Sequence, residues 1–418
     1  MEQSAFNDCF LHSLPYCVIP IKLLCMTIVP YPFPYKAWFT LASDPDFTFI
    51  DDWHELHHFI WKELQLPLAN SLFVKSVNAN LPKQVNLVEF PEITQQPHDT
   101  IHTWGDYMHA RKNAFDREDA VEAMQILKQH DIHPKVWIDH AKFSGNLLHN
   151  AQGGSIPETM DMSGHTYKNF VYTLDLIYTL GIRYVWNGSL TGIIGQNRNL
   201  SASEYFNNVY ASPLKAKLKW LLHTLLPKGL HKQFKAGVPK NQLMRAHTFP
   251  DGHKLYIFER YGKWKEADIY GLGNIITPAI IDTLQQNGGT MIAYTHLGKR
   301  IPGTEKEKQH IPEKTRQAFR HIKTCYEKQG LMVSSVSDLL DYCLLREHVK
   351  IDAAKQEIRF KADGIRYDKI GINELKGKRF TFQGKTPNKE TLRVFGTEEL
   401  IPFAVEDHAG QACFTLIF

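Results

Sequence analysis

The pattern of this 418-residue chain predicts an α/β protein, a parallel sheet or barrel with a small β domain after it. Two observations predict it. From about residue 35 to 345, short apolar runs alternate with amphipathic stretches of helical period. After about residue 348 the runs shorten, often alternate apolar with polar, and are separated by turn residues.

In chain order, Phe33 to Ala42 reads as a strand. Asp51 to Leu64 reads as a helix, with Trp53, Leu56, Phe59, Ile60 and Leu64 on one side. Leu72 to Val77 and Asn86 to Phe90 are short strand candidates. Asp116 to Gln129 is a helix with Ala120, Ala123, Met124 and Leu127 inward. Lys135 to Ile138 reads as a strand, Phe170 to Leu180 as a helix, and Ile182 to Trp186 and Lys254 to Phe258 as strands. Ile275 to Gln286 is a helix leading to the strand Thr290 to Tyr294. Pro312 to Gln329 is a helix, Leu331 to Val333 a strand and Val336 to Arg346 the last helix. The domain expectation is an N-terminal extension over 1–34, the α/β part over 35–347 and the β domain over 348–418. Within that last part Val349 to Ile351, Glu357 to Ala362, Arg379 to Gln383, Glu390 to Phe395, Ile401 to Val405 and Cys413 to Phe418 are the strand candidates.

Bulk properties narrow the classes. A net charge of +4 is too small to imply nucleic acid, and no nucleic-acid partner is expected. The six cysteines, Cys9, Cys17, Cys25, Cys325, Cys343 and Cys413, show no CxxC spacing. That argues against a zinc–thiolate site and a disulfide framework and suits a reducing compartment. Residues 14–34 are apolar but broken by Pro15, Pro20, Pro30, Pro32 and Pro34, which fits neither a secretory signal nor a membrane span. Met26, just before Thr27-Ile28-Val29-Pro30, is a candidate native start.

A basic insert stands out at 211–245. Ser212 and Pro213 start a helix well, and Leu214, Leu218, Leu221, Leu222, Leu225 and Leu226 line one face. Lys215, Lys217, Lys219, Lys228, Lys232, Lys235, Lys240 and Arg245 accompany them without an acid. The segment reads either as a helix packed on the α/β part or as a peripheral membrane contact through 212–235.

In parallel α/β folds chemistry gathers at the carboxyl ends of strands. Asp44, Asp46, Asp139, His140, Asn187 and His296 each fall just after a strand candidate. His102-Thr103-Trp104-Gly105-Asp106 places a histidine and a carboxylate four residues apart. Oxygen and imidazole donors of this kind suit zinc, manganese, iron or cobalt. Taken singly, Asp44-Pro45-Asp46 is equally a turn and His102 to Asp106 a solvated loop. His98 is a rival ligand four residues before His102. Arg260 follows a strand and reads as a grip on an anionic sugar or as a plain salt bridge.

These motifs resemble the polysaccharide deacetylase superfamily of carbohydrate esterases. Leu41-Ala42-Ser43-Asp44-Pro45-Asp46 stands in place of that family's Thr-Phe-Asp-Asp motif. His102-Thr103-Trp104-Gly105-Asp106 matches its His-Ser/Thr-x-x-His motif, with Asp106 in place of the second histidine. Ala293-Tyr294-Thr295-His296 matches its last strand. The resemblance spans about residues 35 to 345 and implies a distorted (β/α)7 barrel. It further implies one divalent ion, zinc foremost, held by Asp46, His102 and Asp106. Asp44 is then the base and His296 the acid, although which of Asp44 and Asp46 is the base stays open. The family's arginine-proline motif, which orients the base, is absent. Asp139 and His140 stand where it would be, as substitutes or as substrate contacts. Trp186-Asn187 is the nearest candidate for the aspartate-tryptophan motif, and these two with Arg260 complete the expected substrate contacts. The implied activity is removal of an acetyl group from a sugar of a surface glycan or its lipid-linked precursor, in the cytoplasm or at the membrane periphery. A non-catalytic carbohydrate-binding barrel and an amidohydrolase acting on a non-glycan C–N bond are the alternatives.

Overall fold

The computed structural model describes residues 25–108, 115–140, 143–148, 166–167, 170–208, 214, 218, 221, 238–299, 311–352, 355, 357–360, 380–383, 391–394, 400–408 and 411–416. The strands that matter below are, in chain order, β1 (Cys25–Ile28), β2 (Ala37–Ser43), β3 (Asn70–Leu72), β4 (His98–His102), β5 (Val136–Ile138), β6 (Tyr184–Trp186), β7 (Leu190–Thr191), β8 (Met244–Thr248), β9 (Lys254–Phe258), β10 (Arg260–Tyr261), β11 (Thr290–Thr295) and β12 (Leu331–Val333).

Two sheets carry the α/β part. One runs β8-β9-β6-β5-β4-β3 and is parallel except for the edge strand β8. The other runs β7-β10-β11-β2-β12 and is parallel throughout. The chain passes from one sheet to the other between β9 and β10, with only Glu259 intervening. Across the opposite seam the Ser71 hydroxyl of β3 donates to the Ser43 carbonyl of β2. The result is a barrel-like α/β arrangement. All seven residues of β2 and all six of β11 are buried, which explains their near-continuous apolar character. The two strands pair in register from Thr290↔Trp38 to Thr295↔Ser43, so Asp44 and His296 emerge side by side.

Most expected elements form within a few residues of their anticipated bounds, and the departures have local causes. The helix expected over Asp51 to Leu64 is α-helical over Ile50–Leu56 and then widens into a π-helix over His57–Glu63, the Leu64 amide reaching the Phe59 carbonyl at 3.0 Å. That extra residue per turn keeps both Phe59 and Ile60 buried. Asn86 to Phe90 is no strand: Asn86 Oδ1 accepts the Glu89 amide at 3.1 Å and turns the chain. Phe170 to Leu180 divides into a two-residue strand, Phe170–Val171, and the helix Leu174–Leu180. The helix expected over Ile275 to Gln286 is two, Ile269–Ile275 and Pro278–Asn287. Pro278 forces Thr277 out of the helical region (ψ 154°), and the Thr277 side chain caps the second helix through the Ile280 amide.

The C-terminal part is a closed barrel of β1, β13 (Val349–Asp352), β14 (Glu357–Phe360), β16 (Thr391–Val394), β17 (Leu400–His408), β18 (Gln411–Leu416) and β15 (Thr381–Gln383), in that spatial order. This corrects the division at residue 34. Strand β1, assigned above to a separate extension, pairs Met26 with Ile351 and Ile28 with Phe382 and so closes the barrel. The helix Val336–His348 lies between the two parts, with ten of its thirteen residues buried. Its Asp341 accepts from Tyr184 Oη and Lys135 Nζ of the α/β part, each at 2.7 Å. Its Tyr342 ring touches Trp38 on one side and stacks on Phe380 on the other.

Most of the basic insert at 211–245 falls outside the described residues. Leu214, Leu218 and Leu221 are exposed, and the stretch ends in the edge strand β8. Among the described residues no helix is long and apolar enough to cross a membrane.

Closure by β1 has a measurable consequence. Ile28 is 5% exposed, pairs with Phe382 and belongs to the same buried core as Ile351 and Tyr342. Ile28→Ala should therefore cost about 2–5 kcal/mol in urea denaturation. Hydrogen exchange should show the lost protection in 349–352 and 381–383 (the strands paired with β1).

Candidate metal centre

The parallel ladders continue one step past each strand end and fix the site. The Asp44 amide donates to the Thr295 carbonyl at 2.9 Å, Thr103 to Ile138 at 3.0 Å, and Asp139 to Trp186 at 3.0 Å. Side chains leaving β2, β4, β5 and β11 thereby converge at one end of the α/β part.

Asp46, His102 and His140 meet there, all buried, each with a donor atom within 4.8 Å of the others. His102 Nε2 lies 3.0 Å from Asp46 Oδ2, and His140 Nε2 lies 2.9 Å from Asp46 Oδ1. His102 Nδ1 faces the Ile138 carbonyl at 3.1 Å. A carbonyl only accepts, so Nδ1 carries the proton and a neutral His102 turns the lone pair of Nε2 toward a carboxylate oxygen. Two acceptors face each other, and Asp46 Oδ2 is buried without a hydrogen-bond partner. A cation between them resolves the conflict, and two imidazoles with one carboxylate are a donor set that zinc, iron, cobalt or manganese accepts. The residues therefore fit a divalent ion. Burial alone would raise the Asp46 carboxyl, but His140 and His102 outweigh it and hold it well below the usual carboxylate range. Burial likewise draws the His140 imidazole down, and Asp46 overrides it and raises it. The Phe73 ring, fully buried, stacks on His102 and leans on His140, so bulk water is kept from the inner side.

Asp106 does not join this group. The chain turns sharply after His102, with Thr103 at φ +55°, and Gly105 passes so close to Lys75 that an added Cβ would lie 2.3 Å from its carbonyl oxygen. Asp106 then lies on the short strand Gly105–Asp106, paired with Lys75–Ser76. Its Oδ2 accepts from Asn78 Nδ2 and Gln84 Nε2, both at 2.8 Å, and its Oδ1 from the Met108 amide at 3.0 Å. Gln84 Oε1 in turn accepts the Phe47 amide at 2.7 Å. Asp106 thus orients the Asp46 loop through Gln84, and the third donor expected of it is supplied by His140. His98 is no rival ligand, since both ring nitrogens face backbone carbonyls, of Asn70 at 3.1 Å and Ile93 at 2.9 Å.

Asp44 is held by Arg260. The fully buried guanidinium donates from Nη1 to Oδ1 at 2.6 Å and from Nη2 to Oδ2 at 3.1 Å. Its central carbon lies 3.3 Å from the centroid of Trp186 and 4.4 Å from that of Tyr294. Arg260 is therefore no grip on a sugar: it fixes the plane of the Asp44 carboxylate. Trp186, 3% exposed and donating from Nε1 to the Ser189 carbonyl at 2.8 Å, is the platform under that arginine and offers no substrate surface. Asp139 is likewise removed from the substrate contacts. Its carboxylate accepts from Trp137 Nε1 and the Leu147 amide at 2.8 Å and from the Leu148 amide at 2.7 Å, which ties down the loop after β5. Half-buried Asn187 stands at the carboxyl end of β6, its Oδ1 buried without a hydrogen-bond partner.

His296 completes the site. Its Nδ1 faces the Ala267 carbonyl at 2.8 Å, which leaves Nε2 directed inward, 3.7 Å from both Asp44 Oδ2 and Asp46 Oδ2. Burial pulls this imidazole below the ordinary histidine value, against the opposing pull of Asp44 and Asp46.

No protein-family model and no curated protein matches this sequence. Among solved structures, a 4-alpha-glucanotransferase from Thermococcus litoralis aligns over 73% of this chain and 40% of its own, with 12% identity and a TM-score of 0.35. The chain spans less than half that protein's length, and a likeness so slight carries no argument about fold or function.

The ligand assignment separates two variants. His140→Ala should weaken zinc binding by more than the ~10–100-fold that outer partners alone are worth. Asp106→Asn should keep stoichiometric zinc and lower the melting temperature instead. Metal content after dialysis decides; zinc lost from Asp106→Asn but kept in His140→Ala would restore Asp106 as the ligand.

Proposed function

We propose that the protein is a metal-dependent hydrolase of the deacetylase type, built on a distorted (β/α)7 barrel, that removes an acetyl group from a sugar of a glycan. The observation that carries this reading is the pairing of three metal-type donors, Asp46, His102 and His140, with an arginine-clamped Asp44 and an inward His296. A divalent ion bound there would polarise the acyl carbonyl and lower the pKa of water.

The chain's own residues would do the rest. Asp44, fixed in plane by Arg260, takes the proton of the attacking water. His296 stands across the site and delivers a proton from Nε2 to the leaving amine or alcohol. Burial keeps its imidazole neutral at rest, so the proton it delivers is acquired during turnover, and Asp44 Oδ2 is within 3.7 Å to pass it. A sugar substrate is favoured by Trp264, which is 58% exposed and packs against Trp186 and Tyr294, the two rings around Arg260. An exposed indole beside the site is a stacking surface for the apolar face of a sugar ring.

Acetate release from N- and O-acetylated amino sugars tests the proposal, with a panel of simple amides beside them. Asp44→Asn should lower kcat by about 10²–10⁴-fold with metal content unchanged. Arg260→Lys should also lower kcat, because an ammonium cannot hold both carboxylate oxygens in one plane. Turnover of simple amides but of no acetylated sugar would replace the glycan reading with the amidohydrolase one. Zinc-loaded protein that binds sugars and releases no acetate would leave a binding barrel.

A further inference from the structure

A second set of donors converges on the outer, helical layer, away from the centre described above. Asp282 belongs to the helix Pro278–Asn287, and His321 and Cys325 stand one turn apart on Glu313–Glu327. His321 Nε2 lies 2.7 Å from Asp282 Oδ1 and 3.5 Å from Cys325 Sγ. One donor atom from each lies within 4.8 Å of the others. We propose that Asp282, His321 and Cys325 form a second, surface-accessible metal site that takes zinc or a similar thiophilic divalent ion.

The geometry argues for chelation rather than nucleophilic catalysis. A relay from sulfur to carboxylate needs the two ring nitrogens of the histidine to face different partners. Here Asp282 and Cys325 both address the same nitrogen, Nε2, so no proton can pass through the ring between them. Three donors turned on one point are what an ion requires. Zinc with bonds of about 2.3 Å to sulfur and 2.0–2.1 Å to nitrogen sets those atoms about 3.5 Å apart in a tetrahedron. The Sγ to Nε2 distance already has that value. The shorter Asp282 contact must open by about 0.6–0.8 Å to make room. Asp282 can yield, since its side chain is 49% exposed.

The surroundings suit the ion as well. Gln285, three residues after Asp282, donates from Nε2 to Cys325 Sγ at 3.0 Å and stabilises negative charge on sulfur. His321 is 28% exposed on its side chain, so an ion can enter from solvent and keep water in a fourth position. A thiolate among the ligands selects against magnesium and calcium. The two helices precede and follow β11 in the chain, and His296 comes directly after that strand, so the ion would clip together the segments before and after it.

Cobalt(II) added to the full chain tests the site, because sulfur-to-cobalt charge-transfer absorption reports thiolate ligation alone. The band should saturate at one equivalent and persist in Asp46→Ala, which disables only the inner centre. It should vanish in Cys325→Ser and need more than tenfold more cobalt in His321→Ala and Asp282→Asn, whose half-exposed positions tolerate substitution. Zinc content should fall from two per chain to one in His321→Ala. No band in the wild-type protein, or a band unchanged in Cys325→Ser, overturns the proposal whatever the activity assays show.

Discussion

The carboxylate of Asp46 is buried between two imidazoles, and most of the site is arranged around that fact. An ionised carboxylate out of water costs several kcal/mol unless it is paired. Here His140 stands against one oxygen and His102 against the other, and the conflict of acceptors at Oδ2 is what a bound cation would resolve. The His102 ring is oriented by the Ile138 carbonyl, and the His140 backbone is anchored by its amide, which donates to Asn146 Oδ1 at 2.8 Å. The Asp46 loop is fixed from behind through Phe47, Gln84 and Asp106. The barrel-like architecture brings the strand ends close, and these outer bonds set the donor atoms.

A second buried charge, Arg260, organises the other half. Its guanidinium is fully buried, and an unpaired charge there would be severely destabilising. Asp44 neutralises it in a two-point contact, the Ala42 carbonyl accepts a further N–H at 3.2 Å, and two aromatic faces cover it. The consequence for Asp44 is orientation. Both oxygens are engaged from one side, so the carboxylate can meet a substrate or water only from the side facing His296 and Asp46.

Much of this was legible in the sequence because strand ends are legible. Runs such as Met291 to Thr295 and Val136 to Ile138 announce buried strands, and a polar residue directly after one is a candidate for the site. Asp44, Asp46, His140 and His296 follow strand candidates by that rule, whereas His102 stands out only through its motif with Asp106. What the rule cannot supply is direction. Asp139 and His140 are adjacent, and alternation sends one into the loop after β5 and the other into the site. His102 to Asp106 matches a ligand motif by residue type and spacing, but a left-handed turn at Thr103 sends Asp106 elsewhere. Strand β1 was equally hidden, because its partners lie more than 300 residues away and a four-residue strand has no periodicity of its own.

The displaced roles share one cause. In a sheet whose strands all point the same way, the carboxyl ends form a ring of neighbouring positions, and a side chain from any of them can reach the same space. Asp106 turned away, and a third donor came from β5 through His140. The arginine that holds Asp44 reaches it from β10. Which strand end supplies a given side chain can differ while the space it enters stays the same. Supplying the arginine from β10 brings Trp186 and Tyr294 against it and places exposed Trp264 beside them. The exposed aromatic surface is therefore tied to how Asp44 is held: the rings that bury Arg260 also support the Trp264 indole.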